Sequence, residues 1–222
     1  MDRLRDLRAA GEFEEAEVGA RALAAAPRVR GGDPVIVSWL ARASASTAAI
    51  SHGRGAEVLP ELETLITEVR RTADAGPNLR ALLLDLRSNR VVVLVQQDRY
   101  TEAEAEAQDI LRAITRLAHL TEVWETELAA LTNLAAALNG QGRYEEALIE
   151  VRRLAPVGRA DSGAVDLATA RTLHGLGRRS EAEATARQAL AACEQFLHPA
   201  HPRIQDAHTL LTHITAEDPA PE

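Results

Sequence analysis

Histidine and cysteine are the side chains that most often bind metals, and this chain has seven histidines and one cysteine. His208 and His213 are five residues apart, whereas two zinc ligands on one helix face are four residues apart. His198 and His201 flank prolines, so turn-forming roles are favoured over metal binding. Cys193 is interpreted as a small buried apolar residue. The sequence therefore predicts no metal site.

Catalytic motifs are also missing from the sequence, which has no Gly-rich phosphate loop and no nucleophile elbow. We therefore expect a protein that is not an enzyme and needs no cofactor. Binding chemistry is better represented. Asn89 and Asn133 lie 44 residues apart, and an amide side chain offers both donors and an acceptor to a peptide backbone. Arg171 and His174 lie one helical turn apart and could hold a carboxylate, although an exposed pair facing water is favoured.

The composition restricts the elements that can position these side chains. Of the 222 residues, 46% are apolar but only 3% are aromatic, and alanine and leucine, which favour helices, dominate. The net charge of −8 argues against nucleic-acid binding, and no apolar run is long enough to span a membrane. A single cysteine favours a reducing, cytoplasmic location. All 25 basic residues are arginine, which suggests a GC-rich, bacterial coding sequence.

A short signature recurs along the chain. It has a turn residue, an aromatic or once an arginine, polar residues and a closing Glu-Ala, and it occupies residues 11–16, 98–103, 142–147 and 177–182. The closing alanines are 87, 44 and 35 residues apart. Because half of 87 is close to 44, a degenerate copy is expected near residue 58, where the Gly-rich segment 52–59 opens a helical run.

Apolar spacing around these signatures predicts pairs of helices joined by tight turns. Thr101 with Glu104, and Ser180 with Glu183, have the spacing of capping boxes at the start of second helices. Gly and Pro residues mark the other boundaries. The predicted helices are 2–10, 12–26, 34–51, 56–74, 78–97, 101–118, 121–140, 144–154, 163–175, 180–197 and 202–215.

The segment from Leu131 to Pro156 has the Leu-small, Gly-x-Tyr, Ala and Pro pattern of one known repeat. In this respect the chain resembles a tetratricopeptide-repeat protein. Its 44-residue spacing and the His-Pro-x-His-Pro linker are similar to the longer repeats of kinesin light chains and their bacterial relatives. One departure is Arg90, which occupies an apolar position filled by Leu134 in the next repeat.

The resemblance implies an all-α, right-handed superhelical solenoid of about five antiparallel helix pairs with a C-terminal capping helix. It would form a single domain over residues 1–216, followed by a disordered tail at 217–222. In such a solenoid the first helix of each pair lines a concave groove. The residues expected at exposed positions of that groove are Ser44, Thr47, Asp85, Ser88, Asn89, Gln96, Thr132, Asn133, Asn139, Arg171 and His174.

The functional expectation is a non-catalytic interaction module, an adaptor or regulatory protein, that binds a peptide or protein segment in this groove. In the family that the chain resembles, Asn at this place commonly contacts the bound segment. Two alternatives stay open. The chain could be a self-associating oligomer, such as a homodimer built through its N-terminal helices, or an accessory or sensor part of a larger bacterial regulatory system. Neither a nucleic acid nor a membrane is expected as a partner.

Overall fold

The computed structural model describes residues 2–26, 33–117, 124–153 and 163–216, and this part of the chain is built from α-helices without any strand. A short 3-10 turn, Ala73–Ala75, follows the fourth helix. No helix within these ranges is both long and apolar enough to cross a bilayer. The helices are α1 (Asp2–Ala9), α2 (Phe13–Ala24), α3 (Pro34–Ser51), α4 (Gly55–Arg70), α5 (Pro77–Gln96), α6 (Tyr100–Leu117), α7 (Trp124–Gly140), α8 (Tyr144–Arg152), α9 (Ala164–Gly175), α10 (Arg179–Phe196) and α11 (Pro202–Ala216).

The predicted helices agree with these bounds to within a few residues, so the all-α prediction is confirmed. The largest difference is at the helix predicted for 56–74, since α4 already ends at Arg70. After this end, the hydroxyl of Thr72 donates a hydrogen bond to the carbonyl of Val69. Three other predicted helices, 101–118, 121–140 and 144–154, extend outside the described residues at 118, 121–123 and 154. The predicted tail at 217–222 also lies outside them.

Within the described ranges, five turns of one kind separate the helices of successive pairs. Their central residues have positive φ angles, 58° at Asp98 and 71–78° at the four glycines. In each turn the next amide donates to the carbonyl five residues earlier, as in the bonds from Arg99 to Leu94 and from Arg143 to Leu138. The turn residues are Gly11, Gly53, Asp98, Gly142 and Gly177, at intervals of 42, 45, 44 and 35 residues. The degenerate copy predicted near residue 58 therefore has the same turn as the others.

The capping box predicted at Ser180 is wrong. The helix α10 begins one residue earlier than expected, so Ser180 lies inside the first turn, and α10 has no side-chain cap. The helix α6 also begins one residue earlier, at Tyr100, and the capping box at Thr101 stays a prediction. Instead, the arginine before the helix donates two hydrogen bonds, from Nε and Nη2, to the carboxylate of a glutamate three residues later. Arg178 bonds to Glu181 in this way at 2.8 and 2.7 Å. The same pair recurs as Arg99 with Glu102 and Arg143 with Glu146. The glutamate also places negative charge at the positive end of the helix dipole.

The chain divides into two compact units, residues 1–130 and 131–222. In each unit, successive helices pack on one another, and first helices also contact first helices, as α3 contacts α5 and α9 contacts α11. This pattern is consistent with an all-α solenoid. The prediction of a single solenoid domain over 1–216 stays a prediction.

Alanine fills the places where helices cross. Ala16, Ala103, Ala147 and Ala182, the closing residues of the four signatures, are completely buried. The aromatic side chain of the third signature acts as a wedge, because the ring of Tyr144 lies against Gly175 in the space that a Cβ would need. Small residues at crossings and aromatics at turns thus let a core with few aromatic residues pack closely.

Arg90 is accommodated by ion pairs. Its guanidinium bonds to Glu106 on α6 and lies 3.3 Å from Glu63 on α4. Glu106 also accepts from Arg87 at 2.9 Å. The position is therefore apolar in one repeat and ionic in another, since an oppositely charged residue stands on the neighbouring helix.

Candidate functional site

The side chains of Thr47 and Asn89 join two first helices of the N-terminal unit. The amide nitrogen of Asn89 on α5 donates to the hydroxyl oxygen of Thr47 on α3 at 2.9 Å. The Thr47 hydroxyl donates its own hydrogen to the carbonyl of Ala43 at 3.0 Å. Because a hydroxyl has one hydrogen, Thr47 can only accept from Asn89. The orientation of the Asn89 amide is therefore set, with its carbonyl oxygen directed away from Thr47.

The C-terminal unit contains the same two kinds of bond, but here the asparagine is on the earlier helix and the threonine on the later one. Asn139 on α7 donates to the hydroxyl of Thr172 on α9 at 3.0 Å, and Thr172 donates to the carbonyl of Ala168 at 2.9 Å. We call each of these two pairs, Thr47 with Asn89 and Thr172 with Asn139, a threonine lock. The sequence predicted three of the four residues as site residues but did not predict that they pair, and Thr172 was missed.

The Asn139 lock leaves one acceptor without a partner. The carbonyl oxygen of Asn139 is buried and accepts no hydrogen bond within the described structure. A buried polar atom without a partner costs roughly 1–3 kcal/mol. A ligand N–H group that displaced the atoms covering this oxygen would remove that cost, and Asn139 as a residue is only half-buried.

A second polar contact of the N-terminal unit involves the carboxylate of Asp85. Its carboxylate accepts a hydrogen bond from the hydroxyl of Thr126 at the start of α7. Although Asp85 is an exposed residue, the protein atoms crowded around its carboxyl raise the pKa by burial. The Thr126 hydrogen bond lowers the pKa in part, and the nearby charge of Glu125 raises it further. The net result is a carboxyl that holds its proton more strongly than usual.

Arg8 on α1 is a charged residue that the sequence did not indicate, unlike Asp85. Its Nε atom is buried and has no hydrogen-bond partner within the described structure. Burial lowers the pKa of the guanidinium, and the charge of Glu125 opposes this shift. An arginine remains protonated in either case, so Arg8 offers a fixed positive charge. No sequence pattern points to Arg8, since its relation to Glu125 joins residues more than a hundred positions apart.

Two of the residues expected at exposed positions are in fact buried. Ser44 is 7% exposed and Ser88 is 6% exposed, because they lie where first helices pack against their neighbours. They are corrected from groove residues to packing residues. Thr132, Asn133 and His174 are half-buried and engaged in contacts. Gln96 is exposed at the last position of α5, against Gly55.

Arg171 already has a carboxylate partner. Its Nη2 atom lies 3.4 Å from the carboxylate of Asp206 on α11, and both side chains are about half exposed. A bound carboxylate would therefore have to compete with Asp206. The structure thus favours the interpretation of Arg171 as an exposed surface residue.

The linker histidines have the expected turn roles. Nδ1 of His201 accepts from the amide of Arg203 at 3.2 Å and caps α11, and Nδ1 of His198 accepts from Ala200 at 3.3 Å. Within the described ranges, no three His, Cys, Asp or Glu side chains lie close enough together to hold a metal ion. Cys193 is buried, as predicted.

Comparison with known proteins identifies the repeat. Residues 128–149, which include most of α7 and the start of α8, match the family model described as tetratricopeptide repeat. The chain contains a tetratricopeptide repeat. Searches of curated proteins and of solved structures gave no significant match. Tetratricopeptide repeats generally mediate protein–protein interaction. The similarity to the kinesin light chain type of repeat stays a prediction.

Proposed function

We propose that this tetratricopeptide-repeat chain is a non-catalytic interaction module that binds an extended peptide segment along the face of its first helices. The observation that carries the proposal is the carbonyl oxygen of Asn139, which is buried, held in place and without a hydrogen-bond partner. A backbone N–H of a bound peptide is the donor that best fits such an acceptor, since every residue except proline supplies one.

The two threonine locks support this proposal because they prepare the amides before the ligand arrives. An asparagine side chain that is free to rotate loses entropy on binding, whereas one already held in position loses less. Asn89 and Asn139 each present a carbonyl oxygen whose direction is set by a threonine. Each unit therefore offers one oriented acceptor that does not depend on the side chains of the ligand.

The non-catalytic part of the proposal is supported by the hydroxyl groups of the site. The hydrogens of Thr47 and Thr172 are donated to carbonyl groups of their own helices. A hydroxyl nucleophile needs a neighbouring base to take its proton. These hydroxyls have a structural role instead, which agrees with the usual function of the repeat family as a scaffold.

The experiment uses the full chain as bait for a phage-displayed library of twelve-residue peptides. The enriched peptide is then made synthetically, and its dissociation constant is measured by fluorescence anisotropy. We expect Asn139→Ala to raise the dissociation constant about threefold to tenfold, the equivalent of one hydrogen bond. Gln108→Ala is the matched control, because Gln108 is an exposed amide on α6, a second helix.

A second series tests the backbone directly. Peptides methylated at one backbone nitrogen at a time lose one donor each, and one of them should bind the native chain about as weakly as the unmodified peptide binds Asn139→Ala. This methylated peptide should bind Asn139→Ala no more weakly than it binds the native chain. The proposal is wrong if no peptide is enriched or if Asn139→Ala binds the enriched peptide as well as the native chain does.

The roles of adaptor, regulator or accessory part of a larger bacterial system remain proposals about the partner. The threonine locks favour a ligand with accessible backbone N–H groups, and therefore an extended segment rather than a helix, whose amides are already bonded. Affinity capture from the source cell, with Asn139→Ala as the control bait, would identify the natural partner.

A further inference from the structure

An open groove lies between α1 and α2, away from the threonine locks. Its volume is about 730 Å³. The apolar lining includes Leu7, Val18 and Leu23, and Val18 is 64% exposed. The groove is lined by Arg3, Leu4, Leu7, Glu14, Glu15, Val18, Gly19 and Leu23.

The groove has opposite charges at its two ends. Glu14 and Glu15 lie in the first turn of α2. Because the turn at Gly11 makes α1 and α2 antiparallel, Arg3, near the start of α1, lies further from that turn than Glu14 and Glu15 do. Within the described structure, none of these three charges forms an ion pair.

This arrangement is self-complementary. A twofold axis between Val18 and Gly19 would align two copies of α2 in opposite directions, with Glu14 of one copy opposite Leu23 of the other. Glu14 and Glu15 of each copy would then approach Arg3 of the other copy, so both charged ends would be matched. An interface with the same patch on both subunits is what a closed dimer requires.

Gly19 marks a close approach of α1 and α2, since a Cβ there would lie 3.1 Å from Cδ2 of Leu4. In the twofold arrangement, Val18 of each copy would lie opposite Gly19 of the other.

We infer that the groove between α1 and α2 is the contact surface of a homodimer in which two α2 helices pack antiparallel. The twelve residues of α2 extend about 18 Å, and two adjacent helices are about 20 Å wide, so each copy contributes about 360 Å². A standard interface has about 800 Å² per partner. The interface is therefore small and the dimer weak.

The first test is sedimentation velocity of the full chain between about 1 and 500 µM. A reversible increase from the monomer to the dimer mass is expected, and a strict monomer throughout this range overturns the inference. Val18→Arg should raise the dissociation constant of the dimer at least tenfold. The matched control is Ile149→Arg on α8, since Ile149 is 60% exposed, and this variant should dimerise as the native chain does.

The decisive test uses reversed charges. Arg3→Glu alone and the double change Glu14→Arg with Glu15→Arg should each weaken self-association about tenfold or more, because like charges then meet at both ends. A mixture of the two variants should dimerise again, since each end of the mixed dimer has one acidic and one basic side. If the variants dimerise separately as the native chain does, or if the mixture stays monomeric, the antiparallel arrangement is wrong.

The test of self-association is independent of the proposed peptide-binding function. Peptide affinity depends on Asn139, which is not part of this groove, and self-association is measured without peptide. A module that binds peptide but stays monomeric would overturn only the dimer, and the reverse result would overturn only the proposed function.

Discussion

The threonine lock of the C-terminal unit makes a prediction that needs no ligand. In Thr172→Val, two hydrogen bonds are lost, the one to the carbonyl of Ala168 and the one from Asn139. Thr169 on the same helix makes only the first kind, with its hydroxyl 2.8 Å from the carbonyl of Val165. The difference between Thr172→Val and Thr169→Val therefore isolates the contact with Asn139.

The magnitude follows from burial. Thr172 is completely buried, so valine leaves the amide nitrogen of Asn139 facing an apolar surface. A donor stranded in this way costs roughly 1–3 kcal/mol, whereas the exchange at Thr169 should stay within about 0.5 kcal/mol. For a unit of this size, each 1 kcal/mol corresponds to a decrease of about 4–8 °C in Tm.

The assay is urea unfolding followed by circular dichroism, applied to Thr172→Val, Asn139→Ala and their combination. Asn139→Ala removes the stranded donor together with the acceptor that had no partner. Adding it to Thr172→Val should therefore restore about 1 kcal/mol of the free energy of unfolding. The reasoning is refuted if Thr172→Val costs no more than Thr169→Val, or if the two changes at the lock are additive.

Two further predictions concern the fold. Gly142→Ala should lower the free energy of unfolding by about 1 kcal/mol through its positive φ angle alone, since no atom lies within 4 Å of the added Cβ. Gly163→Ala should cost about 2–4 kcal/mol, because its Cβ would meet the carbonyl oxygen of Ala189 at 2.6 Å. Urea unfolding of both variants checks this, and equal costs would contradict it. Burial raises the pKa of Glu17, but hydrogen bonds from two arginines lower it by more, so the pKa is below its usual value. The ionised carboxylate therefore stabilises the fold at neutral pH, and this stabilisation is lost as the pH falls below about 4.5. Glu17→Gln should cost about 1–2 kcal/mol at pH 7 and progressively less as the pH falls below about 4.5, and a cost independent of pH would exclude this role.

Much of the fold could be predicted because residues at or next to the helix ends determine where the helices begin and end. Pro34, Pro77 and Pro202 each open a helix, and a glycine follows the end of most first helices. The start of α10 was misplaced because the capping box at Ser180 competes with the ion pair of Arg178, whose strength depends on geometry that spacing alone does not show.

The candidate site was less predictable, since helical periodicity identifies a face but not what covers it. Ser44 and Thr47 are three residues apart on α3, yet the first is buried and the second takes part in a lock. The helix α3 packs against α2, α4 and α5, and this packing covers the two positions to different extents. A sequence has no local signal for such long-range coverage.

The positions of the locks show why the repeat register could not locate them. Asn89 lies nine residues before the turn residue of its pair, Asp98, whereas Asn139 lies three residues before Gly142. The residue equivalent to Asn89 in the next repeat is Asn133, which is not in a lock with Thr172. The locks are therefore not copies of one inherited position. Each depends on a threonine whose hydroxyl is bonded to its own helix, and this requirement, rather than the repeat pattern, decides which asparagine can present an oriented acceptor to a ligand.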